Sequence, residues 1–105
     1  MINKQEFEFI SNLLTSYNDI ESIKLGITLL RSLNEESLNL IHYTFIPNSE
    51  FYSTLNKVEK QLDFNHSSFY VDYFLQYNLH RLSNALNWAA VLVDSPNFDY
   101  MFTGL

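Results

Sequence analysis

Histidine and carboxylate side chains are the residues of this chain that could hold a metal ion or transfer protons. The three histidines are His42, His66 and His80, and an ordinary histidine titrates near neutrality. None of them forms a His-x-x-x-His, His-Glu-x-x-His or Glu-x-x-His pair, the spacings that place two ligands on one helical turn. The chain has no cysteine, so a zinc site would need histidines and carboxylates alone. We therefore expect neither a metal ion nor a cofactor.

Asp72 is the carboxylate with the best context for general acid–base catalysis. It lies among apolar and aromatic residues at 69–74, and an apolar pocket would raise the pKa of its carboxyl group. The alternative is that Asp72 lies in the first turn of the long helix, where its negative charge complements the helix dipole and has no catalytic role. The chain has no Gly-x-Ser-x-Gly nucleophile motif, and its two glycines cannot build a phosphate-binding loop. We predict that the protein is not an enzyme.

The charge of the chain is the next guide to its partners. Twelve acidic residues outnumber six basic ones, which gives a formal net charge of −6. The basic residues are scattered instead of forming a stripe that could displace counterions from phosphates, so we expect no nucleic-acid partner. A basic protein partner would fit the net charge, although an ordinary soluble surface also carries charge of this size.

Cysteine content and hydropathy indicate the cellular compartment in which the protein is found. The absence of cysteine fits a cytoplasmic protein, because disulfides are typical of oxidising environments. The longest charge-free stretch near the end, residues 82–93, is interrupted by Ser83, Asn84 and Asn87, and it is shorter than the roughly 20 apolar residues that span a bilayer. We expect a cytoplasmic protein with no membrane partner.

Helix signals recur along the chain. Hydrophobic residues make up 47% of its 105 residues, which predicts one ordered domain covering residues 1–105. Apolar residues recur at steps of three and four behind capping residues, and Pro47 ends one segment. The predicted helices span 4–16, 19–33, 35–46, 49–62 and 67–94, and an aromatic tail follows at 95–105. The predicted fold class is all-α, a compact five-helix bundle whose four short helices pack as antiparallel neighbours against the long C-terminal helix.

Gly26 lies inside the second predicted helix. A glycine there lowers helix stability by about 1 kcal/mol relative to alanine. We interpret it as a point of close packing against another helix.

The long predicted helix carries two faces that are rich in apolar or aromatic residues. The first is a regular stripe of Val71, Leu75, Leu79, Leu82, Leu86, Ala89 and Val93. The second contains tyrosine together with histidine and asparagine, a composition typical of protein interfaces. A helix buried on two sides would need the same wide surface, and both interpretations stay open. The predicted partner-binding residues are Tyr70, Asp72, Tyr73, Tyr77, His80 and Asn84.

Small size, acidity, aromatic content and the lack of catalytic motifs favour a protein that binds another protein. We expect an inhibitor or an immunity or anti-defence protein, of bacterial or phage type, that occupies a functional surface of its partner. The alternative is a structural or regulatory module that forms a homodimer through the long helix. An enzyme using Asp72 or a histidine is the third hypothesis.

Overall fold

The computed structural model describes residues 3–44, 48–64 and 73–94. Over these residues the chain forms five α-helices and no strand. In chain order they are α1 (Lys4–Thr15), α2 (Ile20–Arg31), α3 (Glu35–Thr44), α4 (Asn48–Phe64) and α5 (Tyr73–Val93). The predicted all-α five-helix bundle is confirmed. None of these five helices is both long and apolar enough to cross a membrane.

The ends of the helices follow local hydrogen bonds. α2 ends at Arg31 instead of the predicted residue 33, and the N–H of Ser32 closes its last turn on two carbonyl groups of that helix. This early end leaves Asn34 free to cap α3. Three predicted features lie outside the described residues: the end of the third helix at 46, the start of the fifth at 67, and the tail at 95–105.

Polar side chains cap the starts of the first three helices. Each cap accepts a hydrogen bond from a backbone N–H that has no partner inside the helix. Asn18, in the turn between α1 and α2, has a φ of 49°, a left-handed conformation that asparagine tolerates better than most residues. The caps are Asn3, which accepts from Gln5 at 2.9 Å, Asp19 from Ser22 at 3.3 Å, and Asn34 from Ser37 at 2.8 Å.

α5 is the spine of the bundle. It packs against α1, α3 and α4, whereas α2 packs against α1 and α4. Over the described residues, the prediction that all four short helices pack against the long helix is therefore wrong for α2, which lies on the far side of α1 and α4. The side of α5 that faces these neighbours is made of aliphatic residues with at most 1% of their surface exposed. These residues are Leu75, Leu79, Leu82, Ala85, Leu86 and Ala89.

Two contacts set the direction of α1 relative to α5. Lys4 Nζ lies 2.6 Å from Asp94 Oδ2, and Ser11 Oγ lies 2.6 Å from Ser83 Oγ. The start of α1 is therefore beside the end of α5, so the two helices are antiparallel.

α4 is also antiparallel to α5. Glu50 Oε2, near the start of α4, lies 3.6 Å from Arg81 Nη2. Farther along α4, Lys57 and Lys60 line a small pocket with Phe74, at the beginning of α5. The C-terminal half of α4 is thus placed beside the N-terminal half of α5.

Gly26 is buried where α2 meets α1. A Cβ atom built on Gly26 would lie 2.9 Å from Leu14 Cδ2 and 3.3 Å from Leu13 Cβ. Alanine would need α1 or the Leu14 side chain to move, which confirms close helix packing as the reason for this glycine.

Candidate functional site

Four of the predicted partner-binding residues lie in α5, on the side opposite its buried stripe. Tyr73 is 86% exposed and Tyr77 is 59% exposed. His80 and Asn84 are exposed as well. Steps of three and four residues bring these side chains to one face of a helix. The other two predicted residues, Tyr70 and Asp72, lie outside the described residues.

Trp88 and Val91 extend this face toward the end of α5. They are 62% and 58% exposed, and each follows Asn84 at a spacing that keeps it on the same side of the helix. The sequence-based prediction ended at Asn84, although the same steps lead on to Trp88 and Val91. We call this surface the aromatic face; it consists of Tyr73, Tyr77, His80, Asn84, Trp88 and Val91.

The aromatic face contains no acidic residue, although the chain as a whole has a net charge of −6. Arg81, at its edge, is the single lysine, arginine or carboxylate residue within α5. The Arg81 guanidinium carbon lies 5.5 Å from the centre of the Tyr77 ring. Such a cation–π contact is worth about 0.5–1 kcal/mol at an exposed site. It restrains Tyr77, so less entropy is lost if that ring becomes buried by a partner.

The opposite edge of the aromatic face is held by α1. The Ser11–Ser83 hydrogen bond is buried in the contact between the two helices. At the end of α5, the hydrogen bond and charge of Asp94 raise the pKa of the Lys4 ammonium group above its usual value, and Glu8 adds to this effect. The face is therefore presented by a helix that is fixed on both flanks.

A pocket of about 210 Å³ opens beside the N-terminal end of the aromatic face. It is lined by Lys57, Lys60, Gln61 and Phe74, and Phe74 is 47% exposed. Pockets for cofactors and drug-sized ligands occupy about 300–1,000 Å³. This smaller pocket has room for one side chain of a partner.

A second groove, of about 410 Å³, lies between α2 and α4. Ile27 and Leu62 form its apolar floor, and both are nearly fully buried. On one wall, Arg31 Nε donates to Glu59 Oε1 at 2.6 Å. Arg31 also donates through Nη2 to Asn56 Oδ1 at 2.7 Å. These bonds already occupy Arg31, so the groove offers less free charge than its lining residues indicate.

The histidines are placed in different surroundings. His42 packs edge-on against Phe51, with ring centres 5.3 Å apart, whereas His80 is exposed on the aromatic face. His66 lies outside the described residues. Within the described parts of the chain, no group of three or more His, Cys, Asp or Glu residues could hold a metal ion.

By its fold, this protein is an all-α helical bundle. No model of a known protein family, no curated protein and no solved structure matches the chain.

Proposed function

We propose that this chain is a non-enzymatic protein that binds another protein through the aromatic face of α5. The observation that carries the proposal is the exposure of Tyr73, Tyr77 and Trp88, at 86%, 59% and 62%, on one side of one helix. Trp and Tyr dominate the binding energy of many protein interfaces. Their rings bury a large area while losing few rotatable bonds, which keeps the entropic cost of binding low.

The size of the face is sufficient for the centre of an interface. Aromatic side chains bury about 150–250 Å² each, so the exposed parts of these three rings provide roughly 400 Å². This is comparable with the largest apolar patch of a typical monomer, which is often functional. A standard interface buries about 800 Å² on each partner. The remaining area would come from the neighbouring surfaces of α1 and α4.

Polar groups along the face support a protein partner. His80 and Asn84 are exposed between the aromatic rings, and both can donate and accept hydrogen bonds. Protein interfaces contain about one hydrogen bond per 100–200 Å². A helix buried on two sides would instead place Tyr73 and Tyr77 in a core, which does not fit their exposure.

An inhibitor of the immunity or anti-defence type is the form of this function that we propose. Such a protein needs a rigid surface that occupies a functional site of its partner, and a helix held by both α1 and α4 supplies one. Mixing the purified chain with its isolated partner should lower the partner's activity in a one-to-one ratio. Unchanged partner activity in a stable complex would indicate recruitment instead of inhibition.

The binding face is tested by a double substitution with a matched control. The test protein carries Tyr73→Ala and Tyr77→Ala. The control carries Tyr17→Ala and Tyr43→Ala, two tyrosines in other parts of the fold that are 57% and 50% exposed. Each protein is immobilised and exposed to lysate from the source organism, and captured proteins are quantified by mass spectrometry.

We expect the control to retain a partner that the test protein loses. With the purified partner, loss of an interface aromatic commonly costs 2 kcal/mol or more, roughly a thirtyfold loss of affinity. Both variants should unfold at nearly the same denaturant concentration as the wild type. Equal capture by the two double variants, or a large loss of stability in the test protein alone, would contradict the proposal.

A homodimer is the second candidate, and the spacing of the face favours it. Exposed residues of α5 occur at equal sequence separations before and after Leu82, as three pairs; five of these six residues belong to the aromatic face, and Asn87 lies beside it. In an antiparallel pair of α5 helices about a two-fold axis, the members of each pair would face one another. Light scattering should give a dimer that the test double variant converts to a monomer, whereas the first candidate predicts a monomer throughout. The pairs are Tyr73 with Val91, Tyr77 with Asn87, and His80 with Asn84.

A further inference from the structure

Three basic side chains lie along the N-terminal half of the aromatic face. Lys57 and Lys60 line the pocket beside Phe74, and the Arg81 guanidinium lies against the Tyr77 ring. These three residues are half of the six lysines and arginines in the chain. Among the described residues, a protein with a net charge of −6 thus places half of its basic side chains along one part of one face.

The acidic residues of α4 do not cancel this patch. Glu50 lies 3.6 Å from Arg81 and offsets one positive charge. Glu59 is on the other side of α4, where it accepts a hydrogen bond from Arg31 of α2. Asp63 lines the groove between α2 and α4. Among the described residues, the pocket side of α4 therefore keeps an excess of positive charge.

Lys57 and Lys60 are both exposed, and neither forms an ion pair within the described residues. Lys4 and Arg31 differ, because each is paired with a carboxylate at 2.6 Å. A lysine with no ion-pair partner can receive an anionic group without first breaking an ion pair. The two lysines are therefore suited to contact a negatively charged ligand.

The pocket between the lysines adds a requirement for an apolar group. Its volume of about 210 Å³ accommodates one side chain, and the half-exposed Phe74 ring forms its apolar wall. The exposed Tyr73 precedes Phe74 and continues the apolar surface. A ligand that satisfies both features carries an apolar side chain flanked by carboxylates.

We infer that the partner presents an acidic segment of polypeptide, whose apolar side chain enters the Phe74 pocket while its carboxylates contact Lys57, Lys60 and Arg81. This inference rests on the proposed function, and it names the chemical class of the partner. The net charge of the whole chain would fit a basic partner, although an ordinary soluble surface carries charge of this size as well. Among the described residues, the unpaired charges beside the aromatic face are positive, and a partner responds to the charge at the surface that it contacts.

Single-stranded nucleic acid is the other anionic ligand that aromatic rings and lysines can bind. The described patch contains three cations, one of them already paired with Glu50, which is fewer than the roughly six to ten phosphate contacts of strong electrostatic nucleic-acid binding. The net charge of −6 repels a long polyanion. A short acidic segment needs only a few cations, and it can also fill the pocket.

The test selects ligands from a display library of short random peptides, with the wild-type chain as bait. The selection is repeated with the double variant Tyr73→Ala/Tyr77→Ala as bait. We expect peptides enriched by the wild type alone to contain Asp and Glu around an aromatic or aliphatic residue. A synthetic peptide from the enriched set and a single-stranded oligothymidylate of similar length are then titrated by fluorescence anisotropy.

Three charge-reversal variants locate the acidic segment. Lys57→Glu and Lys60→Glu alter the pocket, whereas Lys24→Glu makes the same change in net charge on α2. We expect each pocket variant to lower the association rate of the acidic peptide by roughly tenfold or more, because electrostatic steering is lost. Lys24→Glu should have little effect. All three variants replace an exposed lysine, so folding should be retained.

The outcomes separate the two proposals. Peptides that depend on Tyr73 and Tyr77 but are neutral or basic would overturn the acidic-segment inference and leave the binding face in place. Equal losses for Lys24→Glu and the pocket variants would also overturn it, because only net charge would matter. Tighter binding of oligothymidylate than of the peptide, lost in the pocket variants, would replace it with nucleic-acid binding. Failure to enrich any peptide through this face would count against both proposals.

Discussion

The two faces of α5 have the same helical period but different chemistry. The buried face consists mainly of leucine and alanine, with Leu79 and Leu82 each 1% exposed. The aromatic face contains Tyr73 and Trp88, which are 86% and 62% exposed. Leucine has no group that can hydrogen-bond to water, whereas tyrosine and tryptophan each have one. The period therefore identifies both faces as distinct surfaces, and the residue types indicate which of them meets the core.

The largest expected effect comes from truncating each face in turn. Leu82→Ala should lower the free energy of unfolding by roughly 2–5 kcal/mol, because it removes buried contacts and leaves a cavity. Tyr77→Ala should cost at most about 1 kcal/mol, because its ring is 59% exposed and its cation–π contact with Arg81 is at the surface. Urea unfolding of both variants measures the difference. Similar losses from the two substitutions would show that the faces are not energetically distinct.

The fold was predictable because its signals are local. Asn3, Asp19 and Asn34 cap helices that follow them directly. The buried stripe of α5 repeats every three or four residues, a pattern that is visible in the sequence. The capping residues of three helices and the apolar period along the chain together predicted five helices without knowledge of their packing.

The candidate site was only partly predictable, because half of it depends on contacts between helices. Tyr73 and Tyr77 are neighbours on one helix, so their shared face follows from spacing alone. Lys57 and Lys60 reach Phe74 because α4 packs antiparallel to α5. That arrangement brings together residues far apart in sequence, and no local pattern specifies it. For the same reason, the scattered basic residues of the sequence did not reveal a positively charged patch.

A smaller effect should come from the buried hydrogen bond that joins α5 to α1. Ser11→Ala or Ser83→Ala alone leaves one hydroxyl without its partner at 2.6 Å. Each should cost about 1–2 kcal/mol in unfolding free energy. The double variant should cost less than the sum, because replacing both partners removes the unsatisfied group. Chemical denaturation of the four proteins gives the coupling energy, and strict additivity would mean that this bond does not hold the two helices together.

Gly26→Ala is expected to destabilise the protein by about 1 kcal/mol, through the packing of α2 on α1. Alanine improves helix propensity by about 1 kcal/mol, but overpacking a buried contact costs about 1–3 kcal/mol. The new Cβ would lie 2.9 Å from Leu14 Cδ2, and Leu14 is 2% exposed, so its side chain has little room to move. Thermal denaturation gives the net sign.

The control for Gly26→Ala is the same substitution in a Leu14→Ala background. Removing the Leu14 side chain removes the closest contact, so alanine at position 26 should then stabilise the protein relative to Leu14→Ala alone. Stabilisation by Gly26→Ala in the wild-type background would mean that α1 and α2 pack less closely than described.

The smallest effect is expected at the end of α5, where Lys4 of α1 pairs with Asp94. Both side chains are largely exposed, at 43% and 61%, and surface ion pairs contribute little to stability. The pKa of Lys4 is raised above its ordinary value of 10.5, first by the hydrogen bond to Asp94 and then by the charge of Asp94. A group whose pKa is raised by folding stabilises the folded state below its ordinary pKa. That stabilisation disappears as the pH rises through the raised value.

Lys4→Met should therefore lower the melting temperature slightly at neutral pH and have no effect once Lys4 is deprotonated. Lys24→Met is the matched control, since Lys24 is exposed and forms no ion pair within the described residues. Each variant replaces one lysine with methionine and changes the net charge equally, so the difference between the two proteins isolates the Lys4–Asp94 pair. Added salt should reduce that difference, because the Debye length is about 10 Å at 0.1 M. A difference that persists above the raised pKa would show that Lys4 stabilises the fold through its methylene groups instead of its charge.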